Sequence, residues 1–266
     1  MSGLKQQIKL FLFRALRRSY KKKLLQASLN DPEFILLQAF LKARPLTFID
    51  VGANKGEFIY MAEKILPSSG IWAFEPLPWF ARKLRALFPG THVFNLGLSD
   101  KNSETSLYVP RLGGVPDDSL ASLTKPASGD FDTYQINIGT LDEMVKENHV
   151  KGPAFVKIDV EGHEFAVLKG GEYFIRHEVE LMLVEIEERH HHGKKLAEMI
   201  ASIEDTGFAA YYFEPAKKQL VRFADYPHIT QENKHLNTPF YINNFWFFAK
   251  QTSHKDVVAS LNQTSL

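Results

Sequence analysis

Apolar and polar residues along this chain fall into short blocks whose period changes from helical to strand-like and back. Leu4, Ile8, Phe11, Leu12 and Ala15 recur at helical spacing, which predicts a partly amphipathic helix over residues 4–29. Leu10 and Phe13 fall off that face, so the stripe is imperfect. Asp31-Pro32-Glu33 reads as the start of a second helix, with Asp31 as cap and Pro32 at the first position. It should end before Arg44-Pro45. Thereafter compact apolar runs predict strands at 46–51, 71–74, 92–96, 154–159, 181–185, 208–213 and 244–249. Helical patterns lie between them, at 58–65, 78–88, 140–147, 164–175 and 194–206. Pro89-Gly90 and Gly207 stop two of these, Gly170-Gly171 breaks another, and Thr140 caps a fourth. Residues 106–109 and 133–138 look extended and flank a polar segment, 110–132. Such alternation implies a mainly parallel sheet with helices on both faces. Ligands of such sheets bind at the carboxyl ends of strands. That leaves Asp50, Glu75, Leu98 to Asp100, Asp159 and Glu185 as residues within reach.

Charge alters this picture at one end. Residues 1–30 hold eight bases and no acid, so against a chain total of +1 the remainder is −7. The expected organisation is a basic helical segment (1–45), a catalytic-type α/β domain (46–250) and a tail (251–266). The acidic body argues against a nucleic-acid-binding face. The basic segment fits peripheral attachment to anionic lipid, or a helix docked on the domain or packed in a dimer. The chain has no cysteine, which removes disulfides and thiolate chemistry and fits a cytoplasmic, reducing setting. Its apolar runs are too short to span a bilayer, and arginines interrupt the amino terminus without a small-residue cleavage site, so no secretory signal is expected. Oligomeric state stays open.

The chemistry starts at Asp50-Val51-Gly52-Ala53-Asn54-Lys55-Gly56, between the first strand and the next helix. Small residues there let backbone N–H groups approach an anion at a helix N-terminus. Glu75 closes the next strand, and a carboxylate about 20 residues beyond such a turn can accept from ribose hydroxyls. Asn54 stands where a dinucleotide fingerprint would carry its middle glycine, which disfavours a nicotinamide oxidoreductase. An acid opening the turn better suits a cationic group, and S-adenosylmethionine combines an ammonium, a carboxylate and a ribose. The plain alternative is an ordinary strand-to-helix turn with Asp50 as the cap.

The fourth strand ends in Lys157-Ile158-Asp159-Val160-Glu161-Gly162-His163-Glu164. A lysine in an apolar strand needs a partner, and Asp159, two residues on, shares its face. The competing reading is an ion-paired strand end with Glu161 or Glu164 capping the next helix. Glu161 is the leading proton acceptor, His163 stands close behind on its unperturbed pKa, and Asp159 is expected to hold the acceptor group. His190-His191-His192 reads as a solvated turn, and no metal site is expected, although Asp159, Glu161 and Glu185 could meet a hard cation. The segment 110–132 reads as a substrate loop, with disorder the rival. Tyr211, Tyr212 and Trp246 read as strand core and edge.

Taken together, Asp50 to Gly56, Phe74-Glu75-Pro76, Leu98-Ser99-Asp100, Thr140-Leu141-Asp142 and Lys157 to Glu164 resemble the FkbM-type methyltransferase family. Val184-Glu185 and Asn243-Asn244-Phe245 also fit, and the similarity covers roughly residues 46–249. The resemblance implies a Rossmann-like sheet of seven strands, the last antiparallel, and S-adenosylmethionine as methyl donor to a hydroxyl of a sugar, glycan or natural product. It implies that Asp50, Gly52, Asn54 and the closing Gly56 shape the methionine end, that Glu75 holds the ribose, that Ser99 and Asp100 lie near adenine, and that Asp159 and Glu161 face the transfer site. The Pro-Pro-aromatic motif of enzymes that methylate amino groups of bases does not follow strand four, which favours an oxygen acceptor. A non-catalytic adaptor acting through the basic helix is the alternative of a different class.

Overall fold

In a computed structural model the described residues are 17–26, 31–126, 128–191, 193–225, 231, 241–251 and 258. The predicted stripe from Leu4 to Ala15, the bases Lys5, Lys9 and Arg14, and His192 lie outside them. Residues 17–26 form helix α1. Helix α2 (Pro32–Ala43) starts as expected, with the Asp31 side chain accepting from Glu33 N.

The central sheet takes its strands from β1 (Thr47–Val51), β2 (Ile71–Phe74), β3 (His92–Phe94), β8 (Ala154–Ile158), β9 (Val179–Glu185), β10 (Phe208–Glu214), β11 (Gln219–Arg222) and β12 (Asn244–Ala249). Their spatial order is β11-β10-β12-β9-β8-β1-β2-β3. The five from β3 to β9 are mutually parallel. Strand β12 inserts antiparallel between β9 and β10. Among the described residues the sheet therefore has eight strands where seven were expected. The addition is β11, which pairs with β10 as a hairpin at the edge. Its short polar-apolar run, Gln-Leu-Val-Arg, carries almost no periodic signal of its own.

Strand residues alternate between two cores, as a sheet covered on both faces requires. Phe48, Phe155, Leu181 and Trp246 pack with Leu36, Leu37 and Leu41 of α2 on one face. Ile49, Val156, Met182 and Phe245 face the other way, toward α5 (Leu141–Glu147), α7 (Glu172–Glu178) and α8 (Leu196–Glu204). Helices α3 (Glu57–Ala62) and α4 (Pro78–Leu87) complete the first face, and α6 (Glu164–Gly170) precedes α7. Thr140 caps α5 as its position predicts. Asp142 accepts from Tyr173 N and Phe174 N, at 3.0 and 2.8 Å, and so ties the start of α7.

The polar segment is not a free loop. Strands β5 (Ser103–Leu112) and β7 (Phe131–Gly139) pair antiparallel along most of their length, with β4 (Gly97–Leu98) and β6 (Val115–Pro116) completing a second sheet of four strands. Leu107, Val109, Ile136 and Ile138 pack with Leu77 and Phe80 at the start of α4. Residues 117–123 return from the hairpin toward the central sheet, held by backbone bonds between Tyr108 and Ser122.

Candidate functional site

A cleft of about 930 Å³, including the part open to solvent, lies at the carboxyl ends of β1, β2, β8 and β9. Gly52 and Asn54 from the glycine turn, Glu75 and Pro76 from the end of β2, and Asp159 and Glu161 from the end of β8 all line it. So do Lys55, Glu57 and Phe58, Ser119 and Ala121 from the hairpin return, Lys157, and Glu185 at the end of β9. Asp50, Gly56, Ser99, Asp100 and His163 are not in this lining.

The N–H groups of the glycine turn are largely taken up by the end of β2. Gly52 N and Ala53 N both donate to Phe74 O, at 3.0 and 3.1 Å, and Gly56 N donates to Ala53 O at 2.8 Å. Asn54 N donates to Glu75 Oε2 at 2.8 Å. The expectation that this turn offers spare N–H groups to an anion is therefore corrected at four positions, because their hydrogens already have partners. Helix α3 has only six residues and begins with Glu57, so its short dipole and first-turn carboxylate add little attraction for an anion. Gly52 has φ +80°, and a Cβ there would sit 1.8 Å from Asp159 O. Gly56 caps α3 in the left-handed region, where a Cβ would strike Leu84 and Phe88. These glycines serve close backbone approach.

Glu75 is 4% exposed and accepts from Leu77 N through Oε1, at 2.8 Å, as well as from Asn54 N. Burial pushes it up to about 7, against the pull of those two bonds. Each oxygen keeps a lone pair for a ligand hydroxyl. Asn95 Nδ2, absent from the sequence-based expectations, donates to Glu75 O and Pro76 O and fixes this segment.

Beneath the turn, Asp50 and Lys157 are register partners on β1 and β8. Lys157 Nζ lies 3.6 Å from Asp50 Oδ1, 3.0 Å from Asp159 Oδ2 and 3.3 Å from Gly52 O. Burial works against the ammonium, yet Asp159 and Asp50 outweigh it and raise its pKa. The same burial lifts Asp50 to about 6, with Lys157 opposing. Asp50 therefore does not cap the helix. It lies under Lys157, on the face covered by α3, where the Phe58 ring centroid is 5.0 Å from the ammonium.

The β8–β9 rim is crowded with acids. Asp159 loses stabilisation of its charge by burial but gains more from Lys157 and from a hydrogen bond with Glu185, so its pKa falls. Glu185 moves the other way, well above the usual range, through burial and then Asp159. Glu161 sits at φ +51°, with Ser122 Oγ donating to its carbonyl at 2.7 Å. Its carboxyl is pushed to about 8 by burial first, then by Asp159 and Glu187. His190 Nε2 approaches it at 3.6 Å. His191 Nε2 bonds Glu164 Oε2 at 2.9 Å. These two histidines are thus partly buried partners of carboxylates rather than a solvated turn. Asn243 Nδ2 donates to Glu185 and to Glu187, and Tyr241 OH donates to Glu187 at 3.1 Å.

Three expected site residues cluster elsewhere. His163 Nε2 and Ser99 Oγ are hydrogen-bonded at 2.9 Å, and burial lowers the imidazole pKa. Asp100 pairs with Lys169 at 2.9 Å, which lowers its own pKa. Both contacts pin α6 to the turn after β4, where a Cβ on Gly170 would lie 1.9 Å from Ser99 O. Glu33 of α2 is the residue sequence reasoning missed most completely. Burial, Asp31 and Asp159 push it to about 8, and it bonds Asn244. It lies over a hundred positions from Asp159 and Asn244, so no local signal in the sequence marks it.

Residues 50–210 match the family described as the Methyltransferase FkbM domain. The chain belongs to the FkbM methyltransferase family. That match runs from the acid opening the glycine turn into β10, and so takes in both sides of the cleft. Among proteins of curated function none matches. A crystal structure of a methyltransferase FkbM from Methylobacillus flagellatus KT is similar at 17% identity and a TM-score of 0.44, over 92% of this chain and 60% of that one. This chain thus spans about three-fifths of that protein.

Proposed function

We propose that this FkbM-family chain is an S-adenosylmethionine-dependent methyltransferase acting on a hydroxyl oxygen of a sugar, glycan or natural product. The observation that carries the reading is the division of one cleft. Gly52, Asn54 and Glu75 line it from β1 and β2, while Asp159, Glu161 and Glu185 line it from β8 and β9. The bound cofactor would supply an activated methyl group on a sulfonium. Glu75 has lone pairs for the ribose hydroxyls, Asn54 Oδ1 is buried without a partner, and Lys55 is the exposed cation beside the turn for a carboxylate. Glu57 and Asp159 could meet an ammonium. These residues fit the cofactor, although Asp50 would act through Lys157 rather than by contact.

On the other side, Asp159 stays ionised beside Lys157 and can orient an acceptor hydroxyl. Glu161 takes the hydroxyl proton as the oxygen is methylated, a role for which a carboxyl near neutrality is suited. Ser119 and Ala121 bring the hairpin return over this end and give the acceptor a wall. The test is incubation with methyl-labelled S-adenosylmethionine and a panel of free sugars, glycosides and amines. Label is expected in an alkali-stable ether on a sugar or glycoside. Label recovered on nitrogen would overturn the oxygen assignment.

A further inference from the structure

Helix α1 carries exposed cations and is docked beside the cleft. Leu24 is 3% exposed within the core beneath α1. Lys21 Nζ pairs with Glu63 Oε2 at 2.6 Å, and Tyr20 OH donates to Lys55 O at 3.2 Å. This docking leaves Arg18, Lys22 and Lys23 exposed. Neighbouring helices add exposed cations on the flanks of α1. Lys83 of α4 lies 3.9 Å from the Tyr20 ring centroid, and Lys64, after α3, lies 4.6 Å from that of Tyr60. Glu63 is already committed to Lys21.

We propose that this face binds an anionic phospholipid surface and holds the cleft mouth against it. Charge complementarity is direct, at about fivefold in partitioning for each lysine or arginine brought to such a surface. Leu4, Ile8, Phe11 and Leu12 interleave with Lys5, Lys9 and Arg14 in the preceding sequence, a composition suited to an interface. A nucleic acid is the poorer partner. Lys55 belongs both to the contact with Tyr20 and to the cleft, whose other lining includes Glu57, Glu75, Asp159, Glu161 and Glu185. A phosphate chain led into it would be repelled, whereas a headgroup layer stays in one plane outside. The inference goes beyond methyl transfer and stands without it.

The test is flotation of the full chain with phosphatidylcholine vesicles, with and without phosphatidylglycerol. Binding is expected only with phosphatidylglycerol, and it should fall as salt rises. The triple variant R18E/K22E/K23E should bind at least about a hundredfold more weakly. The variant K101E/K146E/K151E, with the same change in net charge at exposed positions elsewhere, should bind as wild type does. Circular dichroism of both variants checks that they fold. Equal losses in the two variants, salt-independent binding, unchanged flotation of R18E/K22E/K23E, or displacement from anionic vesicles by stoichiometric single-stranded RNA would each overturn the proposal. If R18E/K22E/K23E fails to fold, the single change Lys22→Glu replaces it, with about a fivefold loss expected.

Discussion

The glycine turn and the β8–β9 rim line one cleft but satisfy their polar groups in opposite ways. In the turn, the hydrogens of Gly52, Ala53, Asn54 and Gly56 all have partners within the protein. At the rim, Asp159, Glu161, Glu185 and Glu187 are held close together, with Lys157, Arg189 and the two histidines among them. The turn is a finished scaffold that presents a shape. The rim keeps carboxyls away from their ordinary pKa values, the arrangement from which proton-transfer chemistry draws. Binding should therefore depend on the turn and Glu75, and reaction on the rim.

The sharpest break would come from the rim. Glu161→Gln keeps the shape and removes basicity, so single-turnover methyl transfer should slow about 10²–10⁴-fold. His163→Asn should slow it far less, since His163 faces Ser99. A wild-type rate for Glu161→Gln would move the base elsewhere or to water. Next in size is Lys157→Met, which strands Asp50 and Asp159 without their shared cation. Breaking such a buried pair costs about 3–5 kcal/mol, and urea denaturation would register it. An unchanged midpoint would mean that the pair is not structural.

Gly52→Ala attacks the scaffold. Its left-handed backbone and the contact with Asp159 O should together cost about 3 kcal/mol, seen as a lower melting temperature. The smallest effect concerns pH. Glu33 and Glu161 near 8, Glu75 near 7 and Asp50 near 6 are all raised by burial. Raised carboxyls contribute stability that is complete below their unfolded pKa, about 4, and is lost as pH rises through the folded values. Thermal stability should therefore drop between about pH 5 and pH 8.5. Glu161→Gln should lessen that drop by a degree or more, on the order expected for one group. Asp159 and Glu187 are lowered and act oppositely, losing their contribution only in acid.

Much of this frame was readable from local signals. Asp31-Pro32, Thr140 and the apolar runs at β1, β2 and β12 place their elements to within a residue or two, because caps and strands buried on both faces write themselves into neighbouring positions. Strand period alone pairs Lys157 with Asp159, and the two are hydrogen-bonded. The losses lie where contacts are remote. The two-residue strands β4 and β6 have no period to read. The contact of Ser99 with His163 depends on α6, 64 residues later. Glu33 and Asn243 reach the rim only through packing of α2 and the insertion of β12, and the closure of the glycine turn depends on Phe74 and Glu75 arriving from the next strand.

The division of labour across the cleft can be tested without knowing the acceptor, by calorimetric titration of S-adenosylhomocysteine into wild type, Glu75→Ala and Glu161→Gln. Charged hydrogen bonds are worth about 1.5–3 kcal/mol each, so Glu75→Ala should bind at least about tenfold more weakly, while Glu161→Gln should bind as wild type does. No binding by the wild type, or a loss in Glu161→Gln with none in Glu75→Ala, would contradict the account.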